Sequence, residues 1–227
     1  RIFLIDADGK NKICLSPQGE NQTSERFARF SHNGRYMIYE KENDRSHPDD
    51  TSLNQDLDIF LKDLHTAEVK RLTENRIYDG VPSFSSDDAE IIFVSDRPGG
   101  RSSLYKLNLQ SGETESISLK EPWEERIGFS RRPRGMILPY CPSFSPDGKF
   151  ILLHAGWDMR GVFLLDKKGE NLERLTDAEK DCFFPSFSPD GKRIVFVSGY
   201  IDKEDLYIMD ADGSNLTRLT YDGGSKR

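Results

Sequence analysis

The sequence predicts an all-β fold, a β-propeller of four-stranded antiparallel blades, and three observations predict it. A nine-residue segment recurs four times: Phe27-Ala-Arg-Phe-Ser-His-Asn-Gly-Arg35, Val81-Pro-Ser-Phe-Ser-Ser-Asp-Asp-Ala89, Cys141-Pro-Ser-Phe-Ser-Pro-Asp-Gly-Lys149 and Phe184-Pro-Ser-Phe-Ser-Pro-Asp-Gly-Lys192. Its shared phenylalanine, at Phe30, Phe84, Phe144 and Phe187, is spaced by 54, 60 and 43 residues, a unit of about 43 residues with two enlarged copies. After each segment come short β-rich runs separated by Gly, Asp, Asn and Pro turns, with no 3.6-residue apolar period anywhere. Four short strands per unit of this size are what a propeller blade requires.

Residues 1–20 are expected to form the outer half of a blade. Arg1-Ile-Phe-Leu-Ile-Asp-Ala-Asp-Gly9 matches Asp205-Leu-Tyr-Ile-Met-Asp-Ala-Asp-Gly213, and Lys12-Ile-Cys-Leu-Ser16 matches a closing strand. Four complete blades follow at 21–78, 79–139 (with an insertion), 140–179 and 180–227, the whole of 1–227 making one domain.

In each blade the first strand carries the repeated segment. Ser-Pro-Asp-Gly then places Pro where its fixed φ suits a tight turn and Gly where φ must be positive, so the chain doubles back as a hairpin. The second strand is Tyr36-Met-Ile-Tyr39, Ile91-Ile-Phe-Val94, Phe150-Ile-Leu-Leu153 or Ile194-Val-Phe-Val197. The third is Asp58-Ile-Phe-Leu61, Leu104-Tyr-Lys-Leu107, Val162-Phe-Leu-Leu165 or Leu206-Tyr-Ile-Met209. A more polar fourth closes the unit at Arg71-Leu-Thr73, Ser116-Ile-Ser118, Arg174-Leu-Thr176 and Arg218-Leu-Thr220, after turns such as Asp210-Ala-Asp-Gly213, Asp6-Ala-Asp-Gly9 and Lys167-Lys-Gly169. The last copy holds all four of its own strands and has none to lend the partial one. The expectation is therefore an excerpt of a six-bladed or larger ring, or a chain that borrows strands from a partner.

This pattern of Pro-Ser-Phe-Ser-Pro-Asp-Gly-Lys, Ile-Val-Phe-Val-Ser, Asp-Leu-Tyr-Ile-Met-Asp and Leu-Thr resembles the repeat of the TolB-type β-propellers, relatives of the WD-repeat proteins. The resemblance covers nearly the whole chain and is most regular at 184–220. It is weakest in the first copy, where Ala28 replaces Pro and Ser31-His-Asn-Gly34 forms the turn. It implies a six-bladed ring and a periplasmic location. It leaves function open, because this fold hosts many functions and the site must decide.

Composition narrows the field. With 32 Lys and Arg against 39 Asp and Glu, the 227-residue chain carries a formal charge of −7, which disfavours nucleic acid as a partner. The longest apolar runs, Phe150-Ile-Leu-Leu153 and Gly135-Met-Ile-Leu138, are strand-sized, so no membrane insertion is expected. Cys14, Cys141 and Cys182 are an odd number with no Cys-x-x-Cys pair, which argues against a zinc ribbon, a disulfide framework or a haem attachment and for packed strand residues.

Catalytic and metal-ligating sets are not expected, and neither is a cofactor. Oligogalacturonate lyases share a similar repeat and use a multi-His manganese site, but His32, His47, His65 and His154 fall in different contexts, and only His47 and His154 can reach a common face. The nearest approach to a Gly-x-Ser-x-Gly elbow, Gly128-Phe-Ser-Arg-Arg132, lacks the last Gly. No helix follows the Pro98-Gly-Gly100 turn, so it is no phosphate cradle.

In a propeller, the connections from strand one to two and from three to four leave on one face, and those from two to three and from blade to blade leave on the other. The Asp-Gly turns belong to the first face and read as structural; a calcium role for Asp210 and Asp212 lacks the further acidic ligands such a loop needs. Both insertions, Lys41 to Asp56 and Leu119 to Tyr140, belong to the second. The second contains Trp123, Arg126, Arg131, Arg132 and Arg134, an Arg-aromatic combination that interface hot spots favour. Neighbouring loops on that face add Asp96, Arg97, Trp157, Arg160 and Tyr200. These ten residues are the expected partner-binding set. The expected function is a non-catalytic scaffold that docks another protein or other domains of its own chain. The alternative is the gating propeller of a larger serine peptidase of the prolyl oligopeptidase, dipeptidyl peptidase or tricorn type.

Overall fold

A computed structural model of the chain describes residues 1–16, 24–42, 57–75, 77–96, 102–117, 138–156, 161–177, 181–199 and 203–221, and every regular element among them is a strand. A two-stranded piece, β1 (Phe3–Leu4) with β2 (Ile13–Cys14), comes first. The first full sheet is β3 (Glu25–Phe30), β4 (Tyr36–Glu42), β5 (Leu57–Asp63) and β6 (Val69–Arg71). The second is β7 (Asp79–Phe84), β8 (Glu90–Ser95), β9 (Ser103–Asn108) and β10 (Thr114–Ile117). The third is β11 (Leu138–Phe144), β12 (Phe150–Gly156), β13 (Gly161–Asp166) and β14 (Leu172–Arg174). The fourth is β15 (Cys182–Phe187), β16 (Arg193–Ser198), β17 (Asp205–Asp210) and β18 (Thr217–Arg218). Each sheet is antiparallel with its strands in chain order, as expected of a propeller blade.

The hairpins form for the reasons their sequences give. In the third sheet the Gly148 amide donates to the Ser145 carbonyl at 2.8 Å, and Gly148 sits at φ 70° where a side chain is disfavoured. The Ser145 hydroxyl donates to Asp147 at 2.7 Å and accepts the Phe150 amide at 3.0 Å, so serine and aspartate fasten the turn from inside. The same bonds recur at Ser188 and Asp190. In the second sheet Asp88 stands where the others have Gly and adopts φ 58°. Its carboxylate accepts the amides of His32 and Asn33 at 2.7 and 2.9 Å, tying the second turn to the first.

Each first strand also carries a β-bulge that a plain alternation would not reveal. Register shifts between Arg26 and Arg29, Gly80 and Ser83, Tyr140 and Ser143, and Phe183 and Ser186. Inside each shift one bulky residue takes a left-handed conformation: Phe27, Val81, Cys141 and Phe184, at φ 52°, 52°, 48° and 52°. In three sheets the next residue is Pro82, Pro142 or Pro185, and a bulge is where a strand can hold a residue with no amide to give to the ladder.

The core lies between consecutive sheets. Ile38 and Ile59 meet Phe84, Ile91, Phe93 and Tyr105 between the first and second. Ile92, Val94 and Leu104 meet Cys141, Phe144 and Ile151 between the second and third. Leu152 and Val162 meet Cys182, Ile194, Phe196 and Met209 between the third and fourth. The half-blade joins the first sheet, where the Lys62 ammonium donates to the Leu15 carbonyl at 2.6 Å. No described sheet covers the far face of the fourth: Leu206 is 42% exposed, whereas Ile59, Leu104 and Val162, at the same place in the other sheets, are fully buried. Cys141 and Cys182 are buried in these joints, as packed strand residues should be.

Candidate functional site

The second face, where β4 leaves for β5 and each sheet hands over to the next, is the candidate site. Of the ten residues expected there, Asp96 is described. Its amide donates to the Tyr78 carbonyl at 3.1 Å, and its carboxylate accepts the Ser102 hydroxyl at 2.7 Å, pinning the two ends of the 97–101 loop together. Trp123, Arg126, Arg131, Arg132, Arg134, Arg97, Trp157, Arg160 and Tyr200 lie outside the described residues, as do His47 and the connections 43–56 and 118–137.

Beneath that face the structure assembles two groups, one around Glu40, which sequence reading did not single out, and one around His154, which was expected to reach the face and is buried under it. Both arise from one position of the second strand, occupied by Glu40, Val94, His154 and Val197 in successive sheets. Glu40 is fully buried. Its Oε2 accepts the amide of Val81, the bulge residue of the next sheet, at 2.9 Å, and its Oε1 lies 2.8 Å from the Arg26 guanidinium. Burial pushes the Glu40 carboxyl above its ordinary range, against the opposing pull of the Val81 amide and Arg26. Tyr78 lies alongside, its phenol pushed up by burial and then by the Glu40 charge. Gly80 is required for this approach: a Cβ there would fall on Glu40 Oε2 and 2.6 Å from the Tyr78 hydroxyl.

His154 repeats the arrangement two joints later. It is buried, and its Nδ1 lies 3.4 Å from the amide of Phe184, the bulge residue of the fourth sheet. The ring stacks on Tyr140 at 5.7 Å and meets Phe183 and Phe184 edge-on at 5.8 and 5.5 Å. Burial alone takes the imidazole down to about 4, so it is neutral at pH 7. The Tyr140 phenol is raised by burial first and then by the Asp96 charge. A polar residue at a strand position otherwise held by Val94 and Val197 was the available signal. Its meaning depends on the neighbouring sheet, which lies about 30 to 40 residues away in sequence.

Other acids near this end are engaged in holding strands. Asp58 accepts from Arg71 and, at 3.0 Å, from the Thr73 hydroxyl, whose oxygen in turn accepts the Ile59 amide at 3.0 Å. Asp205, Arg218 and Thr220 repeat this clamp in the fourth sheet, whereas the third has Gly161 at the Asp position. On the opposite face Asp212 accepts the Ser214 amide and hydroxyl at 2.9 and 2.6 Å, and Asp210 accepts Asn215 Nδ2 at 2.6 Å, which is turn chemistry. That face also bears a cleft of about 410 Å³ between the third and fourth sheets, floored by Phe150, Leu164 and Phe187. Among the described residues no three His, Cys, Asp or Glu side chains are placed to share a metal ion, and no helix is long and apolar enough to cross a membrane.

Comparison with known proteins agrees with this architecture. Residues 145–227 match the family described as the dipeptidyl peptidase IV N-terminal region. The Tol-Pal system protein TolB of Francisella tularensis subsp. mediasiatica is 24% identical over 182 residues, covering 66% of this chain and 39% of that protein. The chain thus spans about two fifths of the length of the curated relatives it matches. Among solved structures, TolB from Acinetobacter baumannii superposes with a TM-score of 0.71 at 24% identity, over 98% of this chain and 49% of that one. A puromycin-hydrolyzing peptidase of Mycobacterium tuberculosis superposes with a TM-score of 0.65 at 15% identity, over 97% of this chain and 31% of that one. The chain is an all-β propeller that resembles the TolB type in sequence and fold.

Proposed function

We propose that this chain is a non-catalytic propeller scaffold that binds a protein partner through its second face. One observation carries the reading. Both long connections of the sequence leave on that face, while the described polar side chains beneath it, Glu40, Arg26, Asp58, Arg71 and Thr73, are committed to joining strands and sheets. Rigid sheets presenting long loops on one side are the usual way a scaffold positions contacts. The test is association of the full-length protein with partners captured from its native source, compared with Arg131→Ala/Arg132→Ala/Arg134→Ala. The triple variant is expected to associate more slowly, with a weaker dependence on salt, and to keep its melting temperature, because exposed loop changes move stability by only about ±0.5 kcal/mol. A large fall in melting temperature with unchanged association would assign those arginines to the packing of the ring.

The match of residues 145–227 to a peptidase N-terminal region favours a second reading, a propeller that gates a larger serine peptidase. The complete reading frame separates the two. A Gly-x-Ser-x-Gly segment outside these residues supports the peptidase, and its absence supports the scaffold.

A further inference from the structure

We propose that His154 makes the joint between the third and fourth sheets one that opens in acid, while the corresponding joint between the first and second sheets, held by Glu40, stays closed. The geometry sets the difference. At each of these joints a side chain on the second strand accepts the bulge amide of the next sheet: Glu40 that of Val81, His154 that of Phe184. The joint between the second and third sheets has Val94 at this position, with no group that titrates.

An imidazole accepts at Nδ1 only while that nitrogen is unprotonated, with its proton on Nε2. A proton taken up from solvent turns Nδ1 into a donor facing the Phe184 donor. It also puts a charge among Tyr140, Phe183 and Phe184, where burial disfavours it. The titratable groups on the strands packed against His154 are Tyr140 and Cys141 on β11 and Cys182 on β15; its partner on β13 is Val162. Asp96 acts on Tyr140, Asp181 precedes Cys182, and Arg174 lies within electrostatic reach of Cys182. None of these outweighs burial, which alone sets the direction for His154.

The sign differs at Glu40. The charged and titratable groups around it are Arg26 on β3, Tyr78 before β7 and Cys141 on β11, and Cys141 also feels Arg29 of β3. A carboxyl whose folded pKa is raised binds its proton more readily in the closed joint than in the open one, so acid does not open it, and the protonated group still offers an oxygen to the Val81 amide. For His154 the folded pKa is depressed from 6.5 to about 4, so the closed joint loses stability as pH falls through that window. With those two values, the closing equilibrium weakens roughly 60-fold between pH 7 and pH 4.5.

The test is amide hydrogen exchange on the full-length protein at pH 7 and pH 4.5, corrected for the intrinsic pH dependence of exchange, in wild type and His154→Gln, whose amide oxygen accepts but does not titrate. In wild type, protection of β15 should fall by roughly 60-fold while that of β7 holds, and the glutamine variant should lose most of that fall. Equal falls in β7 and β15, the same fall in both proteins, or none in wild type would overturn the proposal. If the variant does not fold, the His154 ring is titrated by NMR in wild type. A ring that stays neutral until β15 protection is lost supports the proposal, and one that titrates near 6.5 with β15 intact refutes it.

Discussion

At the residue scale, Gly80 decides whether Glu40 can reach across the first joint. Gly80→Ala places a methyl on Glu40 Oε2 and against the Tyr78 hydroxyl, in a buried site with no slack. It should cost about 1–3 kcal/mol, read as a lower denaturant midpoint with an unchanged slope. Glu40→Ala should cost about 1–3 kcal/mol, since it removes the buried acceptor of the Val81 amide. Glu40→Gln keeps an acceptor for Val81 and should cost distinctly less. It should also change the pH profile. The raised folded pKa of Glu40 makes stability decline as pH rises past the ordinary carboxylate value, and melts over a pH series should show that decline in wild type and not in the glutamine variant. Equal losses for the alanine and glutamine variants would show that packing, and not the hydrogen bond, is what Glu40 supplies.

At the scale of the element, two devices recur and can be compared between copies. The Asp-Arg-Thr clamp is buried in the first sheet, where Asp58 is fully enclosed and Thr73 is 3% exposed, and more open in the fourth. Thr73→Val should therefore cost about 1–3 kcal/mol by thermal or denaturant melts, and Thr220→Val clearly less, although the two replace the same bonds. The Ser-Pro-Asp-Gly turn of the third sheet holds the Asp147 carboxyl down at about 2, through the Ser145 hydroxyl first and then the Lys149 amide. A depressed carboxylate contributes stability above its unfolded pKa and loses it as pH falls toward the folded one. Asp147→Asn should thus flatten the part of the acid unfolding curve between about pH 4 and pH 2.

For the whole molecule, sequence period and turn chemistry were sufficient to place all four sheets, because each blade is built from contacts between chain neighbours. The segments at Phe30, Phe84, Phe144 and Phe187 end first strands, and the stretches from Tyr36, Ile91, Phe150 and Ile194 form second strands. What depends on the neighbouring sheet was not legible. The bulges at Phe27, Val81, Cys141 and Phe184 read as ordinary strand, and Glu40 and His154 acquire a role only when the next sheet's bulge amide arrives. The tie between the first two turns, in which Asp88 accepts the His32 and Asn33 amides, likewise spans more than fifty residues and has no local signal. The candidate face was legible as a place, from where the long connections leave, while its chemistry rests on arginines and tryptophans outside the described residues.

The central claim, that a protein partner docks on the second face, is tested most directly by lysine cross-linking of the full-length protein in its native setting. Lys41 and Lys203 lie toward the second face, Lys120 and Lys180 fall in sequence between β10 and β11 and between β14 and β15, and Lys10, Lys149, Lys168 and Lys192 belong to turns of the first face. On that claim, cross-links to another protein are expected at Lys41, Lys120, Lys180 and Lys203. Cross-links concentrated instead at Lys149, Lys168 and Lys192 would contradict it and move the binding surface to the turn-bearing face.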